Sequence, residues 1–186
     1  MPITSQSPTP GTEAQLPEGL EPVTLAATGD EWDLIIDRVV HHPPARLWTA
    51  LTDPADLGRW GPFDADRPLT STGPVRLTTR DAGDSEPSTE QVRTVEPETL
   101  LEYSWGPSIL RWEVHPHADG ARLVLRHRFS DRTQAPSYAA GWQLCLQSMA
   151  EMLDGGEPPS RVGASAPAYG WQELYDRYVR YLGVDA

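Results

Sequence analysis

Hydrophobic and polar residues alternate along the middle of the chain, which is the pattern of half-buried β-strands. Residues 33–40 (DLIIDRVV) form a β-branched run that is typical of a first strand. Residues 74–80 (PVRLTTR) alternate, a short strand at 67–70 could precede them, and residues 88–129 read as four more strands in a meander. The turns of the meander fall at EPET, GPS and HADG. We therefore predict an antiparallel sheet of six or seven strands.

The alternation in the last three strands separates an apolar face from a charged one. The inner face carries Leu101, Tyr103 and Trp105, then Leu110, Trp112 and Val114, then Leu123, Leu125, His127 and Phe129. The opposite face carries Arg111, Glu113, His115, Arg122, Arg126 and Arg128, which suits water.

The register of the last hairpin has two alternatives. A two-residue Asp-Gly turn places Trp112 opposite His127, but it requires from Pro116 an amide hydrogen that proline lacks. A four-residue loop shifted by two residues avoids that conflict. His127 lies inside in both, because a two-residue shift preserves the faces.

Helical spacing of apolar residues predicts four helices. Two short ones follow the first strand, in ARLWTAL and from Pro54 to Trp60, and Asp53 between them can cap the second. A long helix over residues 137–153 carries an apolar stripe, and Gly155 and Gly156 follow it. An amphipathic helix covers residues 171–182, and it can dock beside the long helix or against a second copy of the chain, forming a homodimer.

Composition divides the chain into three parts. Residues 1–30 are rich in Pro, Thr, Glu and Gly without a hydrophobic period, which predicts a disordered tail. Residues 31–155 hold the strands and the long helix and form the predicted domain. Residues 156–186 comprise a linker and the last amphipathic helix.

Charge narrows the classes of partner. The chain has 27 acidic against 15 basic residues and a formal net charge of −12, which disfavours nucleic acid and anionic membranes as partners. The single cysteine, Cys145, allows no intrachain disulfide and fits a reducing compartment. We find no signal-peptide pattern and no apolar run of membrane-spanning length, so we expect a cytoplasmic protein.

Several stretches resemble a known family. They are IIDRVVHHPPARLWTALTDPADLGRW, VEPETLLEYSWG, ARLVLRHRF and AAGWQLCLQSMAEML, which together span about residues 33–153. They resemble the SRPBCC or START-like helix-grip superfamily, and within it the branch named after the activator of heat-shock protein 90 ATPase. The GW.ELYDRY pattern in the last helix is similar to bacterial members with such a tail. Only Gly73 remains of the glycine pair usual near the third strand region.

The resemblance implies an α+β helix-grip fold, a curved antiparallel sheet wrapped around a long carboxy-terminal helix. Members of the superfamily bind lipids, sterols or polyketides in a cavity between sheet and helix, and some cyclise or hydrolyse them. We therefore expect a small, mostly hydrophobic ligand in that cavity. The candidate ligand-binding residues are polar-tipped or apolar side chains on the inner surfaces: Trp60, Tyr103, Trp112, His127, Trp142 and Met149.

Each candidate also has a structural interpretation as an ordinary core residue. His127 could be a general base, which suggests a cyclase, aromatase or hydrolase as an alternative, or a core histidine paired with a neighbour such as Tyr103. A chaperone-linked protein-binding module is a third hypothesis, suggested by the family's name. No third ligand accompanies the paired histidines at 41–42 and 115–117, so we predict no metal and no cofactor.

Overall fold

The computed structural model describes residues 16–184. These residues form eight strands and four α-helices, with 3-10 helices at Arg132–Gln134 and Gly163–Tyr169. The strands are β1 (Val23–Thr28), β2 (Glu31–Val40), β3 (Phe63–Ala65), β4 (Gly73–Thr79), β5 (Ser88–Glu96), β6 (Leu100–Trp105), β7 (Ser108–His117) and β8 (Gly120–Phe129). The helices are α1 (Pro44–Thr52), α2 (Pro54–Trp60), α3 (Ala135–Leu153) and α4 (Trp171–Leu182).

All strands join one antiparallel sheet in the order β1-β2-β8-β7-β6-β5-β4-β3. The predicted α+β helix-grip fold is confirmed, with eight strands in the described residues rather than six or seven. The prediction of a short strand at 67–70 is wrong. The strand that precedes β4 is β3, which lies at Phe63–Ala65 and pairs with the end of β4.

The additional strand at the amino-terminal end of the sheet is β1. It pairs with β2 over its whole length, from Val23 opposite Ile36 to Thr28 opposite Glu31. The predicted disordered tail of residues 1–30 is therefore wrong over residues 23–28, and residues 1–15 lie outside the described part. Composition missed β1 because an edge strand can leave much of its surface in water and so shows little hydrophobic pattern.

The β7–β8 hairpin adopts the shifted register, but its loop has two residues, Ala118 and Asp119, rather than the four of that alternative. Trp112 lies opposite Leu125, and the pair nearest the turn is His117 with Gly120. The conflict over the proline amide is thereby avoided. Gly120 has a φ of +135°, and a Cβ there would overlap the carbonyl oxygen of Val40, so this turn requires glycine.

The two short helices begin as predicted. The carboxylate of Asp53 accepts a hydrogen bond from the backbone N–H of Ala55 at 2.8 Å and so caps α2, whose first residue is Pro54. The apolar faces of both helices are buried, including Leu47, Leu51 and Trp60. They follow β2 rather than the first strand, since β1 precedes it.

Helix α3 packs on the inner face of the sheet, and α4 packs on α3. The side chain of Tyr178 on α4 is fully buried, and its hydroxyl donates to Gln143 Oε1 on α3 at 2.7 Å. The backbone N–H of Glu21, just before β1, donates to the Tyr178 hydroxyl at 3.0 Å. The amphipathic face of α4 is therefore partly covered within the chain, and pairing of two copies through α4 stays a prediction.

The segment between α3 and α4 is more ordered than a linker. It contains the 3-10 helix Gly163–Tyr169, and the backbone N–H of Ala164 donates to the carbonyl of Asp81 at 2.9 Å. Gly163 has a φ of +51°, and a Cβ there would overlap the same carbonyl. None of the helices in residues 16–184 is both long and apolar enough to cross a bilayer.

Candidate functional site

Five of the six predicted site residues meet beneath α3. We call Trp60 (α2), Tyr103 (β6), Trp112 (β7), His127 (β8) and Trp142 (α3) the aromatic cluster, and all five are buried. Their rings form edge-to-face contacts, with centroid distances of 5.7 Å for Trp60–Trp112 and 5.4 Å for Trp112–Trp142. The alternation along the strands therefore identified the inner face correctly.

The indole N–H groups of the aromatic cluster all have acceptors. Trp60 Nε1 donates to the carbonyl of Ala50 at 2.8 Å, and Trp112 Nε1 donates to the Tyr103 hydroxyl oxygen at 3.2 Å. Burial raises the pKa of Tyr103, so its phenol is neutral at physiological pH.

His127 is held in one tautomer by its neighbour on α3. Trp142 Nε1 donates to His127 Nδ1 at 3.0 Å. An indole N–H can only donate, so Nδ1 carries no hydrogen and the neutral ring carries its hydrogen on Nε2. Burial lowers the pKa of His127 to about 3, which keeps the ring neutral at physiological pH. The partner suggested from sequence, Tyr103, is not the one observed.

His127 Nε2 is the unusual atom of the site. It is fully buried, and it has no hydrogen-bond partner among the described residues. An unsatisfied buried donor costs about 1–3 kcal/mol and is rare in folded proteins. Such an atom calls for a physical explanation.

Sequence reasoning missed three aromatic residues around His127. Ring centroids lie 4.1 Å away for Tyr138, 5.4 Å for Phe129 and 6.1 Å for Trp105. Trp105 and Phe129 are on the inner face identified by alternation, and Tyr138 begins the stripe of α3. The signal for these residues was present, but only the tertiary structure shows that they surround the imidazole.

Met149 is not part of the aromatic cluster. It lies seven residues beyond Trp142 on α3, or about 10 Å along the helix axis. It borders a separate void of about 10 Å³ together with Val40 and Leu123, which is room for at most one water molecule.

The space between the sheet and α3 where the ligand cavity was expected is filled by the aromatic cluster, whose residues are at most 3% exposed. A cavity instead adjoins the cluster at the flank of α3, beside Trp105 at the end of β6. Its volume is about 220 Å³, and three of the rings that contact His127 (Trp105, Tyr138 and Trp142) form part of its wall. Trp142 is the one predicted site residue that lines it. A single layer of aromatic rings thus separates the cavity from the imidazole.

A groove of about 370 Å³ continues from this cavity along α3. It runs between the helix and the segment that leads into α4, and both spaces are lined by Gly141, Cys145 and Trp171. Gly141 has no atom within 4 Å of where a Cβ would lie, so the missing side chain leaves this junction open. The two spaces together have the size and the apolar lining of a small-molecule site.

Reactive groups are few at this site. Burial raises the pKa of the Cys145 thiol to about 12, so the sulfur is not a thiolate nucleophile at neutral pH. Among residues 16–184, no three His, Cys, Asp or Glu side chains are grouped so that they could hold a metal ion. The chemistry available here is mainly apolar contact and hydrogen bonding.

Many solved structures are similar to this fold, among them the following three. A conserved protein of unknown function from Enterococcus faecalis has a TM-score of 0.67 and 17% identity, and the match covers 87% of this chain and 90% of that one. CalU16 from Micromonospora echinospora has a TM-score of 0.62 and 18% identity, with 86% and 95% covered. DynU16, a protein in the dynemicin biosynthetic locus, has a TM-score of 0.58 and 22% identity, with 73% and 51% covered.

The family is shown by sequence. A comparison with curated protein sequences found no match. The family model described as activator of Hsp90 ATPase homolog 1-like protein matches residues 41–154, which run from the end of β2 to the end of α3 and include all five residues of the aromatic cluster. This chain therefore belongs to the family of activator of Hsp90 ATPase homolog 1-like proteins.

Proposed function

We propose that this protein binds a small, mostly hydrophobic molecule in the cavity beside α3 and the adjoining groove. The observation that carries the proposal is the buried Nε2–H of His127, which has no partner within residues 16–184 and lies one layer of rings from the cavity. A ligand oxygen that accepts from Nε2 would satisfy this donor. Movement of the half-buried Tyr138 ring, the nearest to His127, would open the path.

The lining of the two spaces supports an apolar ligand. Trp105, Tyr138, Trp142 and Trp171 offer aromatic surface, and Val162 and Ala166 extend it along the groove. Apolar contact would supply most of the affinity, and one hydrogen bond to His127 would orient the molecule.

The state of His127 favours binding over acid–base catalysis. Its Nδ1 is occupied by Trp142, and a pKa of about 3 makes it a poor base at neutral pH. The Tyr103 hydroxyl already accepts from Trp112, and its raised pKa keeps it neutral. A cyclase or hydrolase in this arrangement would lack an effective general base.

The choice of trial ligands follows from the lining and the fold. Polycyclic aromatic polyketides and fatty acids both combine apolar surface with an oxygen acceptor. The similarity to DynU16, from the dynemicin biosynthetic locus, supports including biosynthetic aromatic compounds. Affinity can be measured by native mass spectrometry. It can also be measured by tryptophan fluorescence, because Trp105, Trp142 and Trp171 all line the cavity.

Gly141→Leu tests the location of the ligand. A leucine at the open junction fills the space shared by cavity and groove, and it improves helix propensity by up to about 1 kcal/mol, so the fold is retained. We expect at least a tenfold loss of affinity for the compounds that bind the wild type. Gln147→Leu, an exposed position on the same helix, is the matched control and should bind normally.

Two results would contradict the proposal. One is a wild-type protein that retains no compound of the panel at millimolar concentration. The other is a Gly141→Leu protein that binds as well as the control, since the ligand would then lie elsewhere.

A further inference from the structure

The outer face of the sheet carries a second groove, on the side opposite to α3. Its volume is about 370 Å³, and its floor includes Ile109. We call it the arginine groove, because its charged lining consists of Arg93, Arg111, Arg126 and Arg128 with Asp33 and Glu102. Four cations in one groove are unexpected in a chain with a net charge of −12.

Two of these arginines are well neutralised. Arg128 makes two hydrogen bonds to the Asp33 carboxylate, at 2.8 and 2.9 Å. Arg111 bonds to Glu113 at 3.0 Å and to Glu102 at 3.3 Å. The carboxylates of Asp33 and Glu113 remain ionised, since the arginine contacts hold the pKa of each below its usual value despite burial.

The charges of the other two arginines, Arg93 and Arg126, are less well neutralised by carboxylates. Arg126 has a contact of 3.6 Å with Glu113, a carboxylate already engaged by Arg111. Arg93 makes no ion pair with any residue in the described part of the chain. The four guanidinium groups of the groove therefore have three carboxylates within ion-pair contact, while Glu31 and Asp37 act on Arg128 and Arg126 from a greater distance.

The register of the sheet accentuates this excess. Arg111 and Arg126 are directly opposite each other on neighbouring strands and project to the same face. Like charges in that position repel. The Glu113 carboxylate contacts both guanidinium groups, at 3.0 Å from Arg111 and 3.6 Å from Arg126, and one carboxylate offsets only one of the two charges. The Arg126 side chain is 41% exposed, so an anion from solution can reach it.

We propose that the arginine groove binds the oxyanion group of a small molecule, a phosphate or a carboxylate. Arg93, which has no ion pair among the described residues, and Arg126, which shares Glu113 with Arg111, supply the excess positive charge. The planar guanidinium fork matches both oxyanions with two parallel hydrogen bonds. The site is on the other face of the sheet from the aromatic cluster, so it does not depend on the proposed function.

The test measures anion binding to the full chain at low ionic strength. Inorganic phosphate and citrate are titrated separately, and the arginine side-chain Nε–H signals are followed by NMR. We expect saturable shifts for Arg93, Arg111 and Arg126, and the stronger of the two anions identifies the preferred group. The double variant Arg93→Gln, Arg126→Gln should bind at least tenfold more weakly.

Arg180→Gln is the matched control, because Arg180 is an exposed arginine on α4 and lies outside the groove. It should leave the affinity unchanged within twofold. The proposal is overturned if neither anion gives a saturable shift, or if Arg180→Gln weakens binding as much as the double variant, which would mean a general charge effect. A thermal melt of each variant confirms that the fold is retained.

A lipid headgroup is the other source of the same chemistry. Vesicles of phosphatidylglycerol are compared with vesicles of phosphatidylcholine in a sedimentation assay. We expect neither to retain the protein, since its net charge opposes an anionic surface. Retention by phosphatidylglycerol that needs Arg93 and Arg126, without binding of free phosphate or citrate, would overturn the small-molecule proposal.

Discussion

The two faces of strand β8 present opposite solutions to the problem of polar side chains in a sheet. His127 faces inward among aromatic rings, while Arg126 and Arg128 on either side of it face outward. The inward imidazole is made neutral by burial, and the outward guanidinium groups stay charged and form ion pairs. The same strand thus holds a neutral donor in an apolar surrounding and a row of charges in water.

The difference shows which structural features can indicate a binding site on each face of the sheet. Inside, every polar atom needs a partner, so one unsatisfied nitrogen is a specific signal. Outside, water satisfies any single charge, so only the number and the placement of charges can indicate a site. The two proposals rest on these two kinds of signal.

The largest expected difference between the faces is in stability. Trp112→Ala removes a fully buried indole that contacts Trp60 and Trp142, and it should lower the free energy of unfolding by about 3–5 kcal/mol. Urea denaturation at pH 7 measures this change.

Arg126→Ala is the corresponding change on the outer face. It removes a solvent-exposed ion pair with Glu113, so the free energy of unfolding should change by less than about 1 kcal/mol. Equal losses in the two variants would mean that the inner rings are loosely packed and that the comparison fails.

The second prediction concerns pH. The pKa of His127 is about 3 when folded and about 6.5 when unfolded, so below pH 6.5 the unfolded chain binds a proton that the folded chain does not. Stability is therefore fully present above pH 6.5 and falls as the pH drops, by up to about 1.4 kcal/mol per pH unit.

His127→Leu isolates this contribution. The variant lacks the titrating ring, so its free energy of unfolding should fall less steeply between pH 6 and pH 4.5 than that of the wild type. The pKa values of Asp33 and Asp37 are also lowered in the folded protein, so protonation of these carboxylates at lower pH reduces the free energy of unfolding. This contribution is the same in the wild type and in the variant. Parallel pH profiles would show that His127 is not desolvated.

The last prediction concerns the single hydrogen bond that sets the tautomer of His127. Trp142→Phe leaves Nδ1 of His127 without its donor, and this should cost about 1–3 kcal/mol in the free energy of unfolding. The ¹⁵N chemical shifts of the wild-type imidazole should show the hydrogen on Nε2 from pH 5 to pH 8. A hydrogen on Nδ1 would mean that Trp142 does not donate to this ring, and the role of Nε2 as a donor would be lost.

Several features of the fold follow from local rules and were predictable. The cap and first turn of α2 need only Asp53 and Pro54, and the inner position of His127 needs only the period of two along β8. The hairpin register was left open, although the missing amide of Pro116 pointed toward the shifted alternative that is observed. Strand β1 was missed because its pairing with β2 is a tertiary contact with little local signal.

The candidate site was predictable only in part. The aromatic residues of the inner face and of α3 were identified, but Met149 proved to lie apart from them and Tyr138 was passed over. Side-chain spacing along a helix shows which residues share a stripe, but it does not show which ring across the interface each will meet.

By itself the amino-acid sequence determined the two faces of the sheet and the starts of the helices, because hydrophobic period and capping residues act over a few positions of the chain. The helix-grip fold and the family came from the resemblance of longer stretches to known proteins. Only the tertiary structure decided that Trp142 donates to one nitrogen of His127 and that the other has no partner in the described part of the chain. It alone also placed Arg111 opposite Arg126 and left Arg93 without an ion pair among the described residues. The physical reason is that hydrogen bonding, desolvation and charge pairing depend on distances of a few ångströms between residues far apart in the chain, which no local pattern encodes.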